Sequence, residues 1–235
     1  MHNNRYTFLF AIGISVVTAV ILVLIAQQLK PLQEANVALD NRKNILKSVL
    51  VTEVEPDAVN KAYEGSVQEM IINSVGEIIE GIDVDDVDMK KEVAKSPDDR
   101  QLPLYVFTAE GGEKSYIVPL RGVGLWGPIW GYVSLRNDFN TIHGATFDHK
   151  GETPGLGAEI TEPFFQDQFQ GKKVLDGEGK FVSVNVMKST MKSELSSNNR
   201  VDGISGGTIT SDGTDEMLKN CIEPYLSYFN KLKLN

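Results

Sequence analysis

Residues 102–135 read LPLYVFTAEGGEKSYIVPLRGVGLWGPIWGYVSL, and this stretch decides the fold class. Two runs of β-forming residues, Leu104–Phe107 and Ser115–Leu120, flank the polar segment Ala109–Glu113, which is typical of a turn between two strands. A third run, Trp130–Leu135, alternates β-forming residues with small ones. We therefore predict a mainly antiparallel sheet in this part of the chain.

Further elements are predicted on both sides of this stretch. Asn140–Phe147 and Lys180–Val186 have the patterns of two more strands. Pro31–Leu50 has apolar residues at helical spacing, and Pro56–Val75 begins with a proline, which suits a first helical turn. Together these elements predict an α+β class, in which one N-terminal transmembrane helix precedes a single domain with a mainly antiparallel sheet and flanking helices.

The N-terminal part of the chain is strongly apolar. Thr7–Ala26 contains no charged residue, and about 20 apolar residues are enough for a helix to span a bilayer. The alternative is a cleaved signal peptide, whose apolar core would be about 7–15 residues long and would end in a small-residue cleavage site. This run is longer and is followed by Gln27–Lys30. We predict a retained membrane anchor over residues 1–30 and one soluble domain over residues 31–235.

Composition excludes several classes of function. The 235-residue chain has a formal net charge of −9, which argues against a nucleic-acid partner because such proteins need a basic surface. With one cysteine, no intramolecular disulfide can form, and the three histidines have no helical metal-binding spacing. The acidic run Asp83–Asp88 alternates with valines, which favours a polar strand or turn over a metal site. We predict no metal.

No arrangement of residues supports acid–base or nucleophilic catalysis in this chain. Ser205 has no evident base partner and is not in a G-x-S-x-G sequence. No G-x-G-x-x-G sequence follows a predicted strand, so we do not expect a nicotinamide site. We therefore predict no catalytic residues, and electrons for any redox function would have to come from another subunit.

The stretch Asp202–Thr210, DGISGGTIT, carries the strongest indication of a ligand. Ser205–Thr208 are four small residues in succession, and the apolar spacing from Met217 to Tyr225 predicts a helix just downstream. A bare turn at a helix start presents free N–H groups and the positive end of the helix dipole, which suits a phosphate. The alternative is an ordinary helix cap with no ligand.

These residues resemble a known family. Asp202–Thr208 is similar to the flavinylation motif D-G-x-S/T-G-A-T of the FMN-binding domain family, with Gly207 where the family usually has alanine. Gly122–Ile129 resembles its G-x-G-L-W-x-x-I/M segment, and His149–Gly157 resembles H-G-E-T-P-G-L-G with one residue inserted. Ala38–Leu46 resembles the segment after the membrane anchor in one branch, the C subunits of sodium-translocating NADH:quinone oxidoreductases (Nqr). The matches occur in the family's order.

The resemblance implies a covalent cofactor and the residues around it. In the family the last threonine of the motif, here Thr208, holds FMN through a phosphoester bond. Thr153 and Leu156 are expected to contact the flavin ring, which needs a flat apolar face and a few polar groups. The complete set of expected cofactor-binding residues is Thr208, Ser205, Gly206, Gly207, Thr210, Glu152, Thr153, Leu156, Gly124 and Leu125.

The implied function is that of an electron-carrying subunit in a sodium-pumping NADH:quinone oxidoreductase. The resemblance places the chain in the bacterial inner membrane with its domain on the periplasmic side. The expected partners are a flavin transferase and neighbouring subunits that oxidise NADH, reduce ubiquinone and move sodium. The alternatives are the G subunit of an Rnf-type electron transport complex, which has a related flavin domain, and a membrane-anchored binding module without redox activity.

Overall fold

The computed structural model describes residues 4–188 and 196–234, which belong to two compact units, residues 1–41 and 42–235. Helix α1 (Asn4–Ser48) is continuous and supplies all the described structure of the first unit. It runs through Pro31 without ending, so the predicted transmembrane helix and the predicted helix after it are one element. The proline removes one helical hydrogen-bond donor, and the helix tolerates this loss here.

The part of α1 in the first unit is apolar and exposed. Its most apolar 18-residue window has a mean hydropathy of 3.0 and no buried residue. By length and composition, this helix could cross a membrane, which is consistent with a single-pass anchor.

The second unit is built on a six-stranded sheet in which every neighbouring pair is antiparallel. The strands are β1 (Val67–Ile72), β2 (Ile78–Ile79), β3 (Leu102–Thr108), β4 (Lys114–Val123), β5 (Pro128–Arg136) and β6 (Ile142–His149). Their spatial order is β2-β1-β3-β4-β5-β6. The predicted α+β class is confirmed, as are the three strands predicted within residues 102–135.

The predicted helix over Pro56–Val75 is wrong in its second half. Helix α2 ends at Ser66 (Pro56–Ser66), and β1 follows directly. Strand β1 pairs with β3 along its whole length, and Ile71 and Ile72 are buried. Pairing with a strand more than thirty residues away therefore overrides the local helical spacing, which is a normal outcome where tertiary packing competes with propensity.

The strand predicted over Lys180–Val186 is also different in the structure. Only β7 (Asn185–Met187) is a strand, and it pairs in parallel with β8 (Arg200–Asp202) in a separate two-stranded sheet. Ser183 has a left-handed backbone with φ of 61°, which interrupts the extended chain before β7.

The helices of the second unit pack mainly on the six-stranded sheet. After α2 come α3 (Met89–Glu92), α4 (Pro163–Gln166), α5 (Thr208–Ile222) and α6 (Leu226–Leu234). Helix α5 packs on β4 and buries Met217, Leu218 and Cys221 in the main core. This packing fixes α5 relative to the sheet, and the N-terminal end of α5 is the centre of the candidate site.

Candidate functional site

The predicted glycine turn forms the start of helix α5. Thr208 is the first helical residue, and Gly207 occupies the N-cap without any side-chain cap. Gly206 has a φ of +77°, and a Cβ added to it would lie 2.7 Å from Cδ2 of Leu156. The backbone angle therefore favours glycine at 206, and the contact places the turn beside the side chain of Leu156. The turn and the Leu156 loop thus lie against each other, and their joint contact with a cofactor stays a prediction.

The two threonines of the motif have different environments. Thr208 is partly exposed, whereas Thr210 is 1% exposed and donates its hydroxyl proton to Oε2 of Glu152 at 2.6 Å. The first N–H groups of a helix have no acceptors within the helix, so the turn at Thr208 can bind an anion. Ser205 and Gly206 are exposed, and Gly207 is buried. Of the two threonine hydroxyls, only that of Thr208 belongs to a residue open to solvent.

Glu152 connects the three glycine-containing segments. Its side chain is 5% exposed, and besides Thr210 it accepts a hydrogen bond from the backbone N–H of Trp126, with Oε1 at 2.8 Å. Its own backbone N–H donates to Nδ1 of His149 at 3.1 Å. The carboxylate therefore joins the loop that contains it to the loop before β5 and to the first turn of α5. Its direct contact with a cofactor stays a prediction.

Apolar and polar side chains around this turn are exposed. Leu125 is 50% exposed, Leu156 is 42% exposed, and Thr153 is also exposed. Trp126 is 68% exposed and Ile209 is 55% exposed, and neither belongs to the expected set of cofactor-binding residues. The signal that could have indicated Ile209 is its place between the two threonines. Gly124 is partly exposed beside Glu152.

An open cleft of about 530 Å³ lies beside the glycine turn. Asp202 is exposed at its edge, and its backbone N–H and C=O both bond the side-chain amide of Gln168, at 2.8 and 3.2 Å. Sequence reasoning missed Gln168, because it is 34 residues from Asp202 in the sequence. The lining consists of Gly155, Glu159, Phe164, Gln168, Asp202, Gly203, Ile204 and Ser205.

These residues fit the cofactor that the resemblance implies. The cleft is adjacent to the turn, but Ser205 is the one expected cofactor-binding residue in its lining. The start of α5 suits a phosphate, the Thr208 side chain is accessible, and the exposed leucines suit a flavin ring.

Other groups that could carry chemistry are engaged in the structure. Asp83 and Asp88 from the acidic run accept hydrogen bonds from the backbone N–H groups of Asp85 and Lys90, as turn caps. Among the residues that the structure describes, no cluster of three or more metal-ligating side chains occurs. Burial raises the pKa of the Cys221 thiol to about 11, so this cysteine stays protonated and unreactive near neutral pH.

Comparison with known proteins agrees with this geometry. Residues 124–223 match the FMN-binding domain family. The C subunit of the Na(+)-translocating NADH-quinone reductase from Haemophilus ducreyi is 31% identical over 95% of this chain and 93% of its own length. The corresponding protein from Chlamydia muridarum is 41% identical, but the match covers 51% of this chain and 42% of that protein.

A solved structure shows the same fold. The crystal structure of the C subunit of the Na(+)-translocating NADH-quinone reductase from Parabacteroides distasonis superposes with a TM-score of 0.77 at 42% sequence identity. The superposition covers 86% of this chain and 96% of that one. The sequence similarity covers nearly the full length of the Haemophilus ducreyi protein, and the fold matches that of the Parabacteroides distasonis structure. The chain therefore belongs to the family of C subunits of Na⁺-translocating NADH-quinone reductases, which contain an FMN-binding domain.

Proposed function

We propose that this chain carries FMN, bound through a phosphoester to Thr208, as the electron-carrying subunit of a sodium-pumping NADH:quinone reductase. One observation carries the proposal. Thr208 is the partly exposed first residue of α5, whereas the neighbouring hydroxyl of Thr210 is buried and donates to Glu152. The only accessible threonine of the turn therefore lies where a helix end favours a phosphate.

The residues of the chain bind and orient the cofactor. The open N–H groups at the start of α5 would hold the phosphate, and Leu125 and Leu156 would cover the flavin ring. The exposed hydroxyl of Thr153 would bond the polar edge of that ring. FMN bound in this way supplies the redox chemistry, and the protein supplies its placement and electrostatic environment.

The attachment requires an activated donor, because joining a hydroxyl to free FMN in water is unfavourable. A flavin transferase would use a flavin dinucleotide. Thr208 would supply the hydroxyl that joins the FMN phosphorus with loss of its proton, and the donor's pyrophosphate bond would break to release a nucleoside monophosphate. Asp202 is exposed beside the turn, where such an enzyme could recognise the chain.

The chain would act on the periplasmic face of the bacterial inner membrane, anchored by α1. The apolar helix and the family membership support this placement. Its partners would be the subunits that oxidise NADH, reduce ubiquinone and transport sodium. No ionisable residue lies within Thr7–Ala26, so this helix alone offers no ion path.

Intact-mass measurement and peptide mapping of the purified chain test the proposal. We expect one FMN phosphoryl group per chain, on Thr208, with a yellow colour and an in-gel flavin fluorescence that both survive denaturation. Thr208→Ala should abolish the covalent flavin without changing the melting temperature of the unmodified domain. Flavin mapped to Thr210 or Ser205 would contradict the assignment. A colourless chain, isolated from cells with an active transferase, would favour a binding module without redox activity.

A further inference from the structure

The carboxylate of Glu152 is buried and has both oxygens engaged inside the protein. Oε1 accepts from the backbone N–H of Trp126 at 2.8 Å, and Oε2 accepts from the hydroxyl of Thr210 at 2.6 Å. The residues that it joins are 26 and 58 positions away in the sequence. Taking a carboxylate out of water is costly, and hydrogen bonds to each oxygen offset that cost.

Two glycines make room for this carboxylate. A Cβ added to Gly124 would lie 2.7 Å from Oε1, and a Cβ added to Gly157 would lie 2.5 Å from Oε2. Real Cβ atoms do not approach other atoms so closely, so either substitution would displace the carboxylate. One glycine from each loop therefore leaves space for the Glu152 carboxylate and its hydrogen bonds. This explains why both positions are glycine without any direct contact with the cofactor.

We infer that Glu152 is a positioning residue, whose carboxylate holds the loop of Trp126 and the first turn of α5 together and thereby sets the environment of the flavin. The inference rests on the proposed attachment to Thr208, which is two residues before Thr210. Shifting Thr210 shifts the turn that presents Thr208. The positions of the exposed side chains of Leu125 and Trp126 depend on the backbone at Trp126, whose N–H donates to Oε1 of Glu152.

The charge of Glu152 adds a second effect. A carboxylate can only accept hydrogen bonds, and both partners of Glu152 donate to it. A negative charge in a poorly solvated position opposes the addition of electrons to a nearby group. The ionised Glu152 is therefore expected to hold the reduction potential of the flavin below the value that it would have beside a neutral side chain.

Two substitutions of Glu152 separate geometry from charge. Glu152→Gln keeps an oxygen for the N–H of Trp126 and turns its amide toward Thr210, whose hydroxyl oxygen can accept. Glu152→Ala removes both bonds. Thr210→Val removes one bond and leaves the carboxylate on Trp126. Glu162→Gln is the matched control, because Glu162 is exposed and makes no capping hydrogen bond at the start of α4.

The first measurement needs no flavin. In a Thr208→Ala background, amide hydrogen exchange of Trp126 reports its bond to Glu152. We expect about tenfold faster exchange in Glu152→Ala, as the loss of one charge-assisted hydrogen bond implies. Exchange should stay near the parent rate in Glu152→Gln, Thr210→Val and Glu162→Gln. Unchanged exchange in Glu152→Ala would overturn the hydrogen bond between Glu152 and Trp126. If that variant does not fold, exchange of the Trp126 amide in the parent as fast as that of an unprotected amide would overturn it.

The second measurement uses the full chain with flavin attached. Glu152→Gln should raise the reduction potential of the flavin relative to the parent and to Glu162→Gln, at equal flavin content. A purely structural Glu152 would change the melting temperature and leave the potential where Glu162→Gln leaves it, which would overturn the inference. Absence of flavin from the parent chain would refute the proposed function and the flavin part of the inference, while the exchange data would still decide the bridge.

Discussion

The two units of this chain use the same apolar residue types in opposite ways. In the first unit, Val17 and Leu22 are 57% and 61% exposed, whereas Leu104 and Val133 in the sheet are fully buried. The sheet and its helices bury their own apolar surface, and the first unit has no layer with which to do so. The difference teaches that apolar sequence forms a core only where a second layer is available, and the exposed helix α1 is consistent with a membrane anchor.

The apolar side chains of the candidate site are exposed like those of the first unit, whereas those in the core of the second unit are buried. Leu125, Leu156 and Ile209 are exposed although each belongs to the folded second unit. Exposed apolar side chains are available for contact with another molecule. The helix of the first unit is long and apolar enough for lipid to cover it, and at the start of α5 we propose that the flavin covers the exposed side chains.

The largest effect is expected inside the core. Phe165 is fully buried against Phe147 and Phe169, so Phe165→Ala should lower the free energy of unfolding by about 3–5 kcal/mol. Denaturant unfolding of the full chain in detergent, followed by near-UV circular dichroism, measures this loss. The adjacent Phe164 is 60% exposed, and Phe164→Ala should stay within about 0.5 kcal/mol of the parent. Equal losses for the two variants would remove the contrast between buried and exposed apolar residues.

A charge placed in each unit tests the role of α1. Val17→Arg puts a charge inside the uncharged run, where it should oppose membrane insertion by about 2.5–3.5 kcal/mol. The measurement is the fraction of chain that stays with membranes through carbonate extraction, which should fall. Val54→Arg makes the same change at a residue that is 75% exposed in the second unit, and this variant should stay membrane-bound like the parent. If both variants are retained equally, residues 7–26 are not the anchor.

The smallest effect is expected at the surface around Thr208. Thr153→Val removes an exposed hydroxyl and should leave the unfolding free energy of the unmodified chain within about 0.5 kcal/mol of the parent. In the flavin-bearing chain, the loss of one neutral hydrogen bond should cost about 0.5–1.5 kcal/mol, visible as a shift in the flavin spectrum and potential. A spectrum and potential equal to those of the parent would show that Thr153 does not contact the flavin.

Local pattern predicts the elements that local forces determine. The strands within residues 102–135 alternate clearly, and they form the sheet as predicted. Val67–Ile72 has apolar residues that also fit helical spacing, and pairing with β3 makes it a strand. Lys180–Val186 alternates like a strand, yet a left-handed residue at Ser183 leaves only its end paired. Short apolar runs are ambiguous until their partners are known.

The features of the candidate site also separate into those that local sequence sets and those that tertiary packing sets. The sequence by itself determined the apolar run of α1, the glycine turn and the helix that Thr208 begins, because spacing and small residues act within a few positions. Only the tertiary structure decided that Thr210 is buried, that Glu152 binds both Thr210 and the backbone of Trp126, and that Gln168 holds Asp202. These contacts join residues 26–58 positions apart, and such pairs meet only after the sheet and α5 have packed.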